Sequence, residues 1–104
     1  MLMPAACAAL AQGPPAPPKA ELYSGDTTKI SEHVRVMMGN PNIAIIVGTR
    51  GTLVVDTGLG APNGEVVART AQKLSPSGSK LYLTTTHFHP EHAAGEPGSL
   101  QARS

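Results

Sequence analysis

The sequence predicts an α/β fold in which one mixed sheet is covered on one face by one helix. Three observations predict it: β-branched apolar runs at residues 43–47 and 52–55, an amphipathic stretch at residues 64–74, and another short apolar run at residues 81–85. A right-handed crossover from strand through helix to strand places the last strand parallel to a neighbour and beneath the helix. The predicted order is therefore β-β-β-α-β, followed by a loop.

The first strands are predicted from alternation and turn residues. Residues 34–38 alternate as a half-buried strand does, and Gly39-Asn40-Pro41-Asn42 then forms a turn. The apolar runs IAIIV at 43–47 and TLVV at 52–55 are separated by four residues, GTRG, a spacing typical of a hairpin. The second of these strands is predicted to end at Asp56.

The helix is predicted from its apolar face and its end signals. Asn63 is expected to cap it, and the sequence Ser75-Pro76-Ser77-Gly78 is expected to stop it. The strand LYLTT follows at residues 81–85. Residues 86–96 show no helical or strand periodicity and are predicted to be a loop, in which Pro90 breaks any helix.

Composition limits the functions that the chain can have. Its 104 residues, 40% of them hydrophobic, suit one small domain, and its net charge of +1 is spread without a basic block. We therefore do not expect nucleic acid as a partner. A small-molecule substrate is expected instead. Cys7 is the only cysteine, so a metal site in this chain must be built from histidines and carboxylates.

The N-terminal residues read as a targeting segment and a linker. Residues 2–11 are small and apolar, and Ala9-Leu10-Ala11 has the small-x-small form of a signal-peptidase site, which predicts a periplasmic or secreted protein. The alternative is a disordered, Ala-rich start of the chain. The sequence QGPPAPP at residues 12–18 is typical of an extended linker. The predicted organisation is a signal-like segment with its linker at 1–18 and one domain at 19–104. Nowhere does the sequence reach the roughly 18 apolar residues of a membrane span.

Four potential zinc ligands lie within six residues. His87, His89, Glu91 and His92 form the pattern H-x-H-x-E-H directly after the last predicted strand. Zinc prefers imidazole and carboxylate ligands, and a catalytic zinc uses about three of them while one position stays open for water. The alternative is a solvated loop with incidental histidines that bind metal weakly. His33 stands alone and is expected to be solvent-facing or hydrogen-bonded rather than a ligand.

The chain resembles the metallo-β-lactamase superfamily over about residues 30–95. Two motifs carry the resemblance: VVDTG at residues 54–58, and THFHPEHAAG at residues 86–95, which is similar to the family's T-H-x-H-x-D-H-x-x-G loop. The resemblance implies half of an αβ/βα sandwich and a zinc-dependent hydrolase. It assigns His87 and His89 to a first zinc, and Glu91 and His92 to a second.

Asp56 has two interpretations. The resemblance places its carboxylate beside the metal, in the catalytic site together with Glu91. In that position Asp56 would support the metal ligands rather than bind the ion itself. Alternatively, Asp56 is a turn residue at the end of a strand, with Gly58 supplying backbone freedom.

Two departures from the family pattern affect the expected metal content. Glu91 stands where most members have Asp. One or two zinc ions are therefore expected, and the sequence supports the first zinc site better than the second. The family also takes further histidines and a bridging Asp from its later half, and residues 95–104 (GEPGSLQARS) contain neither residue type. The family domain is about twice this length. The chain is therefore expected to be an N-terminal fragment.

The implied chemistry is hydrolysis, with two alternatives. Zinc-activated water would attack an ester, thioester, lactam or similar bond. The first alternative is an inactive, truncated fragment that binds zinc through its histidines. The second is a homodimeric aspartic protease in which Asp56 of two chains shares a proton, since VVDTG also matches an apolar-apolar-D-T-G motif. That class needs a later apolar-apolar-Gly strand, which is missing after Leu83.

Overall fold

The structure, a computed structural model, describes residues 21–86 and 89–98. Within these ranges one mixed sheet has five strands in the order β1-β2-β3-β4-β5. The elements are β1 (Thr28–Lys29), β2 (Val34–Met37), β3 (Ile43–Val47), β4 (Gly51–Val55), helix α1 (Ala61–Leu74), β5 (Lys80–Thr84) and helix α2 (Pro90–Ala93). The α/β class and the mixed sheet are thus confirmed. The signal-like segment, the Pro-rich linker and Cys7 lie outside the described residues, as does His87.

The direction of each strand follows from its connection. β1 to β4 pair antiparallel in sequence order, and the β3–β4 hairpin is closed by a 2.9 Å hydrogen bond from Gly48 N to Gly51 O. β5 pairs parallel with β4, with Val54 opposite Leu83, because α1 carries the chain back before β5 begins. Both the hairpin and the parallel pairing confirm the expectation from sequence.

The two faces of the sheet differ in burial. Ile45 is fully buried beneath α1, whereas its neighbour Ile46 is 38% exposed, as the alternation of side chains along a strand requires. Tyr82 on β5 is 55% exposed. The core between sheet and helix consists of Tyr23, Met37, Ile43, Ile45, Val54, Val67 and Ala71. In the described part of the chain, neither helix is long and apolar enough to cross a membrane.

Helix α1 begins three residues earlier than the sequence predicts. Gly60, with a φ of 84°, is the residue before it, and Pro62 lies in its first turn. Proline suits this position because the first turn of a helix has no acceptor for its N–H. The prediction that Asn63 caps the helix is therefore wrong. Asn63 is inside the helix, 3% exposed, and its amide makes tertiary contacts instead.

The loop after β5 contains a short helix that the sequence did not predict. Pro90 is the first residue of α2 rather than a helix breaker, again because an N-terminal proline loses no hydrogen bond. The two-residue strand β1 was also not predicted, since Thr28 and Lys29 are too few to show alternation. The predicted strand at 81–85 lies one residue earlier, as Lys80–Thr84.

Candidate metal site beside Asp56

Asp56 follows β4 directly and turns the chain at the edge of the sheet. Its backbone N donates to Thr84 O at 2.8 Å, so the ladder with β5 continues one step beyond the strand. Its φ is 71°, in the left-handed region that Asp tolerates better than most residues. The carboxyl ends of β4 and β5 therefore meet here, and polar residues that follow either strand are brought together.

The buried carboxylate of Asp56 accepts hydrogen bonds from two residues. Thr86 N donates to Oδ1 at 2.8 Å, and the Thr86 hydroxyl lies 3.2 Å from Oδ1 and 3.0 Å from Oδ2. Nδ1 of His92 lies 2.8 Å from Oδ2. Asp56 itself is only 3% exposed. Protein donors rather than water therefore supply most of the hydrogen bonds to this carboxylate.

These donors favour the ionised form of Asp56. Burial by itself would raise the pKa of Asp56, but the hydrogen bonds from His92 and Thr86 outweigh it and hold the pKa below its ordinary value of 3.8. An ionised carboxylate can only accept, so His92 must donate from Nδ1. The proton on that nitrogen leaves Nε2 as the nitrogen through which His92 would bind a metal.

Thr57 holds the backbone of His92 in place. Its N donates to His92 O at 2.8 Å, and its fully buried hydroxyl lies 3.1 Å from the same oxygen. The hydroxyl also accepts from Gly95 N at 3.0 Å, and that N lies 3.0 Å from Gly58 O. The residue after Asp56 therefore positions the loop that carries His92.

Two glycines allow this loop to lie against helix α1. A Cβ on Gly64, in the first turn of α1, would overlap the carbonyl oxygen of Gly95. A Cβ on Gly95 would approach Gly64 N to 2.9 Å and Thr57 O to 2.7 Å. Both positions thus require glycine because two backbone segments meet there.

Glu91 lies near the two described histidines of the motif. Its Oε1 is 3.6 Å from Nδ1 of His89 and 3.9 Å from Nε2 of His92. Two ligands of a tetrahedral zinc with bonds of 2.0 to 2.1 Å stand about 3.3 Å apart. Each Glu91–His pair therefore fits a shared ion after a shift of a few tenths of an ångström, and imidazole with carboxylate is a donor set that zinc accepts.

A third ligand is needed to complete such a site. Among residues 21–86 and 89–98, no three His, Cys, Asp or Glu side chains are arranged to hold a metal ion. His87, the remaining histidine of the motif, lies outside these ranges. Contacts between pairs of side chains nevertheless connect Asp56 to His92, His92 to Glu91, and Glu91 to His89. The structure places His33 at the opposite end of the sheet, exposed and 3.1 Å from Val47 O.

Residues ahead of β1 form a further wall of this region. Asn63 accepts from Tyr23 N at 2.8 Å and donates from Nδ2 to Glu21 O at 2.9 Å and to Leu59 O at 3.0 Å. The hydroxyl of Tyr23 donates to Pro41 O, and the Tyr23 ring lies against Gly58. Burial, followed by the charge of Asp56, raises the pKa of Tyr23 above its ordinary value.

Several residues of the site could not be singled out from the sequence. The sequence contains only a weak indication for Thr57, which follows Asp56, and for Thr86, which precedes His87. Tyr23 and Asn63 had none, because their contacts join residues 40 positions apart.

Comparison with protein-family models gives no match to this chain, and comparison with curated proteins finds no relative.

Proposed function

We propose that the chain carries the metal-binding loop of a zinc-dependent hydrolase of the metallo-β-lactamase type. One observation carries the proposal: the ionised carboxylate of Asp56 fixes Nδ1 of His92 at 2.8 Å while Glu91 lies on the Nε2 side of the same ring. Histidines that bind a metal are commonly oriented in this way by a carboxylate on the other ring nitrogen. An incidental histidine on a solvated loop has no need of a buried carboxylate.

The position of the loop supports the same function. It follows the carboxyl end of a parallel strand, where open α/β sheets place their ligands. The helix on one sheet face and the exposed side chains of Ile46 and Tyr82 on the other suit half of a two-sheet sandwich. We therefore propose half of an αβ/βα sandwich as the architecture that accompanies this function.

Each residue has a defined task in the proposed reaction. His89, Glu91 and His92, together with His87, would hold zinc, and Asp56 would keep His92 in the tautomer that presents a lone pair at Nε2. Bound zinc would lower the pKa of water to about 7 and would polarise a carbonyl oxygen. The reaction class is hydrolysis of an ester, thioester, amide or lactam.

The contacts of Asp56 favour this role over that of an aspartic protease. Two aspartates that share a proton need facing carboxyl groups. Asp56 is 3% exposed and already accepts from Thr86 and His92, which leaves little room for a second carboxylate.

Calorimetric titration with zinc tests the proposal. We expect the wild-type chain to bind zinc and His92→Ala to lose most of the heat signal, because Nε2 of His92 is a proposed ligand. His33→Ala is the matched control, since that exposed histidine lies at the other end of the sheet. Equal binding by all three proteins would contradict a zinc site here. Hydrolysis of p-nitrophenyl acetate by the zinc-loaded chain then separates a hydrolase from an inactive zinc-binding fragment.

A further inference from the structure

A cavity of about 480 Å³ adjoins the proposed metal-binding loop. Glu91 lines it, so the cavity and the loop share a side chain. Its other walls come from the segment before β1, the turn after β2 and the segment before α1. Its volume lies within the range of about 300 to 1,000 Å³ that is usual for small-molecule sites. The cavity is therefore large enough for part of a substrate.

The walls are held in place by buried hydrogen bonds. Asn63, which lines the cavity, is 3% exposed and ties Glu21 and Tyr23 on one wall to Leu59 on another. Two of these contacts join residues 40 and 42 positions apart in the sequence. The walls of the cavity are thus connected through one buried side chain.

Its lining indicates what it would bind. Leu22 and Met38, each 62% exposed, and Leu59, 36% exposed, all line it. They make up half of the six exposed large hydrophobic residues in the described part of the chain. The charged lining residues are Glu21 and Glu91, and no Lys, Arg or His is among the described residues that surround the cavity. The apolar side chains favour an apolar group, and the two carboxylates disfavour an anion.

We propose that this cavity binds the uncharged, apolar acyl group of the substrate. The inference rests on the proposed function and narrows its substrate class to neutral esters, thioesters or amides with an apolar acyl group. With this group in the cavity, the acyl carbonyl lies at Glu91 and the metal-binding loop. Water adds to the carbonyl carbon, the bond to the alcohol, thiol or amine breaks, and the leaving group takes up a proton.

The test uses the full chain without metal, in the presence of a chelator. Titration of ¹⁵N-labelled protein with hexanamide should shift the backbone amides of Leu22, Met38 and Leu59. Hexanoate, which has the same chain length but is an anion, should bind at least about tenfold more weakly because of Glu21 and Glu91. Absence of these shifts, or equal affinity for hexanoate, would overturn the proposal.

A pair of variants locates the binding site. Leu59→Gln should weaken hexanamide binding about tenfold, because it replaces an apolar wall with an amide. Ile46→Gln is the matched control, since Ile46 is 38% exposed and lies on the other side of the sheet. A loss of affinity as large in Ile46→Gln as in Leu59→Gln would place the ligand elsewhere and overturn the assignment.

The two proposals fail in distinguishable ways. Zinc binding without hexanamide binding contradicts the cavity assignment and leaves the metal site intact. Hexanamide binding without zinc binding supports the cavity as an apolar-ligand site and contradicts the hydrolase.

Discussion

Oδ2 of Asp56 and Nδ1 of His92 lie 2.8 Å apart although 36 residues separate them in the sequence. Between them the chain forms all of α1 and β5, so the contact depends on the crossover that returns β5 to the side of β4. It joins the two motifs, VVDTG and THFHPEHAAG, at one edge of the sheet.

Replacing Asp56 with Asn should weaken zinc binding. Asn has nearly the same shape and tolerates the positive φ of 71°, but it has no charge to keep the proton on Nδ1 of His92. Loss of such a supporting carboxylate typically lowers metal affinity about 10- to 100-fold. Calorimetry measures the effect, with Asp26→Asn as a control on an exposed carboxylate. Wild-type affinity in Asp56→Asn would show that Asp56 only holds the turn.

Acid should remove the stabilisation that Asp56 supplies. Because its pKa in the folded protein lies below the ordinary value of 3.8, the ionised form stabilises the fold above that pH. The stabilisation is lost as the pH falls through the lowered pKa. Urea unfolding in chelator should therefore show a larger difference in unfolding free energy between wild type and Asp56→Asn at about pH 5 than at about pH 2. A difference that does not change with pH would contradict the charged contact.

Gly64→Ala should destabilise the protein although helix propensity alone predicts the reverse. Alanine in a helix is favoured over glycine by about 1 kcal/mol, but its Cβ here would overlap the carbonyl oxygen of Gly95. Overpacking of this kind costs about 1 to 3 kcal/mol. Urea unfolding measures the sign of the change. Lys73→Ala, on an exposed position of the same helix, should change stability by less than about 0.5 kcal/mol. Stabilisation by Gly64→Ala would show that the two backbones do not meet.

Thr57→Val should loosen the loop that carries His92. The variant keeps the shape of the side chain but removes the hydroxyl that lies 3.1 Å from His92 O and accepts from Gly95 N. Loss of a buried partner costs about 1 to 3 kcal/mol. Urea unfolding should show this loss, and zinc affinity should fall with it. Thr28→Val, on the exposed strand β1, should show neither effect. Unchanged zinc affinity in a destabilised Thr57→Val would mean that the site tolerates a loose loop.

The sheet could be predicted from sequence because its signals are local. Ile43–Val47 has the predicted bounds, and the parallel position of β5 follows from the helix between two strands. The errors at Asn63 and Pro90 share one cause, because a proline lies in the first turn of both helices, where it costs no hydrogen bond. Local patterns also missed β1, whose two residues carry no period.

Only part of the candidate site could be predicted from the sequence. Histidine spacing singled out His89 and His92, and the resemblance carried by the sequence VVDTG singled out Asp56. The hydrogen bond between Asp56 and His92 could not be read from spacing, because it depends on where two loops meet in three dimensions. Tyr23 contributes a backbone N that donates to Asn63 and a ring that packs against Gly58, and no sequence pattern predicts contacts of this kind.

The long separation of these contacts has a consequence for the order of folding. The β3–β4 hairpin closes a turn of a few residues, whereas Tyr23–Asn63 and Asp56–His92 close loops of 40 and 36 residues. Longer loops lose more chain entropy on closure, and contacts of this kind slow folding. We therefore expect the hairpin to form first and the site to assemble last. In refolding followed by pulsed hydrogen exchange, amides of β3 and β4 should gain protection before the amide of Tyr23, and simultaneous protection would contradict this order.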